Sequence, residues 1–438
     1  MRRDRLLTLL TLVGIVGGAA VGQLLHASSL EGAPISDLWW TGGNLLLIRP
    51  LMAMIIPLIF VSVVVGVTSV GEPSKLGLLG GATLFYFVST MLIAVVLGAT
   101  LVVTIAPGEG LAPHVVEQLL AQGSTDLAAQ QTTQERVRGA EGLGLGGAWL
   151  EIISQVIPNN VLADAVNGRP LGVIVFAMAL GLALALGGES TKPAIRVFEG
   201  ILNALMRIIG WIIWMTPIGV FLLIVGTVGK VGGQALLGPL GNYVLTVTTG
   251  LLIHALIVLP LILWVLARTN PFRFFWAMRP ALLTAFGTSS SSATLPVTLR
   301  TAVEAGGCSK RSSGFVLPLG TTINMDGTAL YEAVATVFLF QLHGIELSFG
   351  ELVVVVVTAT LAAIGAAGIP SAGLVTMVIV ISAVNASLQS RGVDTLPITS
   401  IGVILALDRF LDMMRTTVNV WGDAVGAKLL TRLVPDEE

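Results

Sequence analysis

Cysteine is almost missing from this sequence: one residue, Cys308, among 438. A single thiol cannot close an internal disulfide, and beside Lys310 and Arg311 it reads as an inert thiol on a reducing side. Charge is equally scarce, at 11% of residues against 54% hydrophobic, and the mean hydropathy is +0.91. Those values exclude an ordinary soluble enzyme and indicate an integral membrane protein. A formal net charge of −2 gives no reason to expect nucleic-acid binding. Histidine is rare too: His254 lies inside a predicted helix and reads as a hydrogen-bonded interior residue, while His26, His114 and His343 flank spans. Trp39, Trp40 and Trp276 fit anchoring at the membrane interface.

What is present is apolar sequence. Runs at Leu6–Leu25, Leu38–Val70, Ala82–Ile105, Glu151–Leu186, Ala194–Thr227 and Leu236–Ala267 predict helices. The second and fourth exceed the ~20 residues needed to cross a bilayer, so they must tilt or bend, with Pro50 and Pro57 as expected kinks. The basic start, Met1 to Arg5, imitates a secretory signal, yet no small-residue cleavage site follows, and a retained first helix is expected. Between Pro107 and Gly147 lies one long polar segment, an expected extramembrane loop. Arg2, Arg3, Arg5, Lys75, Lys192, Arg196, Arg268, Arg273, Arg279, Arg300, Lys310, Arg311, Lys428 and Arg432 fall on one side of this map, which places both chain ends in the cytoplasm.

Two segments break the pattern. Arg279 and Arg300 both belong on the cytoplasmic side, and between them stands Gly287-Thr288-Ser289-Ser290-Ser291-Ser292. Each apolar arm is about eight residues, some 12 Å of helix, less than half of a ~30 Å core. The segment should enter and turn back with its polar tip facing protein or a wet cavity. On the other side, Leu352–Ile364 and Leu374–Leu388 flank Gly365-Ala366-Ala367-Gly368-Ile369-Pro370, which no continuous helix would choose. Two opposed hairpins form an inverted repeat, the signature of a secondary transporter. Between them, Thr322, Asn324, Asp326 and Thr328 alternate with period two, which predicts an unwound segment facing one cavity.

Near the end of the chain, Asp408, Asp412, Arg415, Thr416, Asn419 and Asp423 fall within roughly 100° of one helix face. The rest of that helix is apolar. Ionised groups so placed are costly and mark a pathway or a charged ligand.

These residues resemble the glutamate/aspartate:cation symporter family, the excitatory amino-acid transporters and their prokaryotic homologues. The motifs are the serine run Ser289–Ser292, Asn324-Met325-Asp326-Gly327-Thr328, Gly365 to Pro370, and Asp412 to Asp423. The resemblance covers essentially the whole chain. It implies an all-α integral membrane protein with eight transmembrane helices plus two opposed re-entrant helical hairpins in inverted repeats, an elevator-type transporter assembled as a homotrimer in the cell's inner (plasma) membrane. Residues 1–80 would carry scaffold helices 1 and 2, 81–107 transport-domain helix 3, 108–150 the extramembrane loop, 151–232 scaffold helices 4 and 5, and 233–438 the rest of the transport domain.

Arg415 offers a planar fork for a side-chain carboxylate and Asp412 an acceptor for an ammonium, a pair that specifies an acidic amino acid. By resemblance, Asn419, Thr416 and Thr328 would bond the α-carboxylate and amine, with the tips at Ser289, Ser291, Ile369 and Gly373 closing over the ligand. Excess acid calls for cations. The resemblance implies sodium among Gly320, Asn324, Asn419 and Asp423. It implies a second near Thr322, Ala363, Ile364 and Ala366, and a third involving Tyr86, Ser89, Thr90, Asn324 and Asp326. Glu332 is the expected proton carrier, and potassium countertransport is raised as well. Arg409 departs from the family pattern and reads either as extra positive charge near Asp412 or as a headgroup contact. Alternatives are a sodium-coupled dicarboxylate or neutral amino-acid symporter, a channel, and an intramembrane serine hydrolase. The last has no histidine or lysine expected near its serine run.

Overall fold

Backbone amides taken out of water need partners within their own segment, and among the described residues this chain supplies them with helix alone. The computed structural model describes residues 2–28, 33–68, 73–110, 113–117, 119–121, 159–166, 170–231, 240–364 and 372–433. The first apolar run is α1 (Arg2–Ser28). The second is α2 (Ala33–Gly43) and α3 (Arg49–Thr68), joined by a π-helical turn over Asn44–Ile48. Pro50 explains that turn. It has no N–H to offer the carbonyl four residues back, and the wider turn absorbs the missing bond. Pro57 is accommodated inside α3. The third run is α4 (Pro73–Ile105).

Of the next two expected helices, one is described only in part and the other is divided. The run expected over Glu151–Leu186 contains α5 (Val161–Val166) and α6 (Pro170–Leu186), with 151–158 and 167–169 outside the described residues. The run expected over Ala194–Thr227 is α7 (Lys192–Ile213) and α8 (Thr216–Val231), bent by 55° at Trp214 and Met215. Pro217 is the reason: it cannot bond to the carbonyl of Ile213, and its fixed φ suits the start of a new helix. The sixth run becomes α9 (Gly241–Ile253), a π turn over His254–Val258, and α10 (Leu259–Val265). Pro260 stands to this π turn as Pro50 does to the first.

Both hairpins form. The first is α11 (Pro271–Thr288) packed against α12 (Ser291–Glu304). Ser289 turns the chain in the left-handed region at φ 50°, and the Ser290 hydroxyl caps α12 by accepting from the Ala293 N–H at 3.1 Å. The second is α15 (Phe349–Ile364) against α16 (Ala372–Ser390), and its tip, 365–371, lies outside the described residues. Between the hairpins run α13 (Lys310–Ile323) and α14 (Asp326–Leu342). Only Asn324 and Met325 are unwound. The non-helical stretch is therefore shorter than the alternation suggested, with Thr322 in the last turn of α13 and Thr328 in the first turn of α14. The chain closes with α17 (Gly402–Leu433), 32 residues long and so about 48 Å.

Among the described residues four helices are long and apolar enough to cross a membrane, or five if the bent α7 and α8 count as one. Helices α1, α2 and α8 pack together, as do α3, α6 and α7; α4, α9, α14, α15, α16 and α17 pack together with α13 and the first hairpin. Helix α3 also packs on α12 and α13, and α8 on α11. Cys308, in the loop between α12 and α13, is a buried free thiol. Burial pushes it up to about 12 against the opposing pull of Lys428 and Thr431, which makes it the inert thiol expected.

Candidate functional site

Every residue from Asp326 to Phe340 is buried, polar ones included, and so is the polar stripe of α17. Asp408, Asp412, Arg415, Thr416, Asn419 and Asp423 are each at most 6% exposed. Buried charges need partners. One guanidinium nitrogen, Arg415 Nη2, donates to Asp408 Oδ1 and to Asp412 Oδ1, both at 2.8 Å. The guanidinium lies on the Tyr331 ring, 3.8 Å from its centroid, a cation–π contact out of water. Arg415 Nη1 and Nε have no hydrogen-bond partner among the described residues. A Cβ at Gly373, at the start of α16, would come within 3.3 Å of Nη1, so the second hairpin approaches the arginine there with backbone alone.

A second constellation lies where the break between α13 and α14 meets α17 and α4. Asn324 Nδ2 donates to Asp423 Oδ1 at 3.0 Å, and its Oδ1 is 3.3 Å from the Thr90 hydroxyl. Any side chain at Gly320 would collide with the Asp423 carboxylate. Tyr86 donates to the Gly422 carbonyl at 2.8 Å, and Ser89 is half-buried next to Thr90 on α4. Asn419 accepts from the Gly327 N–H at 2.7 Å and donates to the Thr328 hydroxyl at 3.2 Å. Asp326 Oδ2 accepts from His254 Nε2 at 3.1 Å, both groups fully buried. His254 Nδ1 has no hydrogen-bond partner among the described residues. Glu332 is fully buried, and its Oε1 accepts from the Thr376 hydroxyl of α16.

The expected site residues thus fall into neighbouring groups. Asp412, Arg415, Tyr331 and Gly373 meet at one point; Gly320, Asn324, Asp423 and Thr90 meet at another; Asn419, Gly327 and Thr328 stand between. Ser289 and Ser291 are buried at the tip of the first hairpin. Thr322 donates to the Leu319 carbonyl of its own helix at 3.1 Å. Ala363 is buried and Ile364 half-buried where α15 contacts α13, while Ile369 and Ala366 lie outside the described residues. The Arg409 guanidinium is 5.5 Å from the centroid of Trp40, on α2, a contact that neither expected role included.

Two partners escaped the sequence reading, Tyr331 and Thr376, which carry no local signal because tertiary packing brings them in. Asp408 belongs to the expected polar stripe but not to an expected pair with Arg415, although seven residues, two helical turns, separate them. His254 is the hydrogen-bonded interior residue expected, with Asp326 as its partner.

A buried arginine fork beside an aspartate, two helical hairpins and a broken helix between them accord with a secondary transporter, and the comparisons with known proteins give that class, not an enzyme. The sodium:dicarboxylate symporter family model matches residues 7–433, and the chain belongs to that family. It is 37% identical to excitatory amino acid transporter 3 of Oryctolagus cuniculus, over 99% of this chain and 87% of the relative. It is 36% identical to excitatory amino acid transporter 1 of Ambystoma tigrinum, over 97% and 82%. It is also 36% identical to neutral amino acid transporter B(0) of Oryctolagus cuniculus, over 100% and 82%.

Proposed function

We propose that this protein is a sodium-coupled symporter for acidic amino acids, aspartate or glutamate. The observation that carries the reading is the half-satisfied guanidinium of Arg415. Leaving a buried donor unpaired costs about 1–3 kcal/mol, more for a charged group. A substrate carboxylate accepting from Nη1 supplies the missing bond, and Asp412 one turn earlier accepts from the substrate ammonium. Asp408 holds the fork in place, Tyr331 backs its flat face, and Gly373 lets the second hairpin close over it. Relatives named for excitatory and for neutral amino acids are about equally similar, so overall similarity does not choose the substrate. The free side of the Arg415 fork supports an acidic one, because a neutral amino acid has only its α-carboxylate, which this reading gives to Asn419 and Thr416, and no second carboxylate for the arginine.

Asp326, Asp423 and Glu332 remain as buried acids beyond the two paired with Arg415, and an anionic substrate adds to the excess. Sodium ions carried as co-substrates offset it. Asn324, Asp423 and the Gly320 carbonyl supply oxygens for one ion, with Asn419 beside them; Tyr86, Ser89, Thr90 and Asp326 would serve another. Thr322 with the carbonyls of Ala363, Ile364 and Ala366 would hold the third. Glu332, tied to the second hairpin through Thr376, carries the coupled proton. In our reading α1, α2, α3, α6, α7 and α8 form the scaffold and the remaining body moves as an elevator in each copy of a trimer, with both chain ends cytoplasmic.

Uptake of radiolabelled aspartate into liposomes, with sodium, proton and potassium gradients varied one at a time, tests the proposal. Accumulation that needs inward sodium is expected. Accumulation of succinate or of neutral amino acids in place of aspartate overturns the substrate assignment, and no dependence on sodium overturns the coupling.

A further inference from the structure

The outer surface of α10 and the entry to the first hairpin enclose a groove of about 650 Å³, lined by none of the residues assigned above. Its wall is apolar: Leu256, Ile257, Leu261, Trp264 and Phe272 are 53–85% exposed. Trp264 lies in the last turn of a membrane-crossing helix, Gly241–Val265, so the head of the groove falls at the bilayer boundary. That head is basic. Arg268 lines it, with its backbone in the left-handed region at φ 47°. Arg273 is exposed one turn into α11, and Arg432 of α17 reaches the Leu266 carbonyl at 3.3 Å. No acid pairs with Arg268, Arg273 or Arg432 among the described residues, although Arg300 and Arg391 each have a carboxylate partner.

We propose that this groove is a binding site for an anionic phospholipid. Acyl chains lie along Leu256, Leu261 and Trp264 in place of bulk lipid, and the headgroup phosphate accepts from Arg268, with Arg273 and Arg432 adding charge. A zwitterionic lipid fits the apolar wall equally well but brings its own cation to an already cationic head. The groove therefore selects by headgroup charge. It joins α10 to the first hairpin, so its occupant touches an element that carries Ser289 and Ser291 without touching the substrate residues.

Full-length protein in nanodiscs, with brominated phosphatidylglycerol or brominated phosphatidylcholine at equal low fractions, tests this through tryptophan quenching. The Trp264 contribution is the difference between wild type and Trp264→Phe. It should be quenched at a roughly tenfold lower fraction of the anionic lipid. Arg268→Gln with Arg273→Gln should abolish that preference, whereas Arg196→Gln, a basic residue on α7, should leave it intact. Equal quenching by the two lipids overturns the proposal, and so does a preference that survives the double substitution. Native mass spectra of the same proteins, with phosphatidylglycerol adducts retained by wild type and lost from the double variant, give a readout independent of fluorescence.

Discussion

At the scale of single residues, geometry separates charge from shape. Arg415 uses one nitrogen to hold two aspartates and leaves the rest of its fork free, a division that lysine cannot reproduce with a point charge. Arg415→Lys should therefore weaken aspartate affinity by about 30- to 100-fold, the scale of a lost charge-assisted bond of roughly 2–3 kcal/mol. Competition against labelled aspartate measures it, and an unchanged affinity contradicts the assignment. Glu332 poses a different question, because its hydrogen bond from Thr376 crosses to the second hairpin. Glu332→Gln keeps the shape and removes the titration. Homoexchange of aspartate should continue while the acceleration of net uptake at low external pH disappears; persistence of that acceleration moves the proton elsewhere. Cys308 tests the folded structure directly. With its thiol pushed up to about 12, maleimide near neutral pH should label it only after denaturation, and rapid labelling of native protein would mean that the loop between α12 and α13 is open.

At the scale of elements, proline does more than kink helices. Pro50 and Pro260 each follow a π turn, and the second of these turns contains His254, whose ring reaches Asp326 from α9's side of the protein. The sequence announced both prolines but not the form the bend takes, because a kink, a π turn and a break all answer the same missing N–H. Pro217 took the third course and divided one expected span in two. The hairpins were legible for a firmer reason: charges on both flanks fix which side each arm must return to, whatever the local helix geometry. The base of the second hairpin adds a clip that sequence did not disclose. Glu351 is 2% exposed and accepts from Arg391 Nη1 at 2.6 Å and Ser387 Oγ at 3.1 Å, joining α15 to the end of α16. Arg391→Ala leaves a buried carboxylate short of its cation, so unfolding should shift down by several degrees in a thermal scan, about 1–3 kcal/mol, with Ser387 still donating to it. No shift would mean that the hairpin base is held by apolar packing instead.

At the scale of the whole molecule, the two bodies of the proposed elevator meet where α3 packs on α12 and α13 and α8 on α11. Apolar runs located the helices, and the polar stripe of α17 pointed to the candidate site. Which helices belong to which body depends on long-range contacts that no local pattern encodes, and here the family resemblance supplied the expectation. Arg409 illustrates the point: read along α17 it belongs with Asp412, yet in space it stacks on Trp40 of the opposite body. An elevator motion requires such contacts to break and re-form. The approach of the first hairpin to α8 is the closest place to hold them fixed, because a Cβ at Gly287 would run into the Val220 side chain. With Cys308 replaced by serine, Gly287→Cys and Val220→Cys put two thiols within reach of one disulfide across the boundary. Oxidation should stop net aspartate uptake and reduction should restore it, while each single variant stays insensitive to oxidant. If the cross-linked protein, verified by mass, still transports at the reduced rate, the two bodies do not slide at this surface, and the alternating access of this symporter must arise from hairpin motion alone.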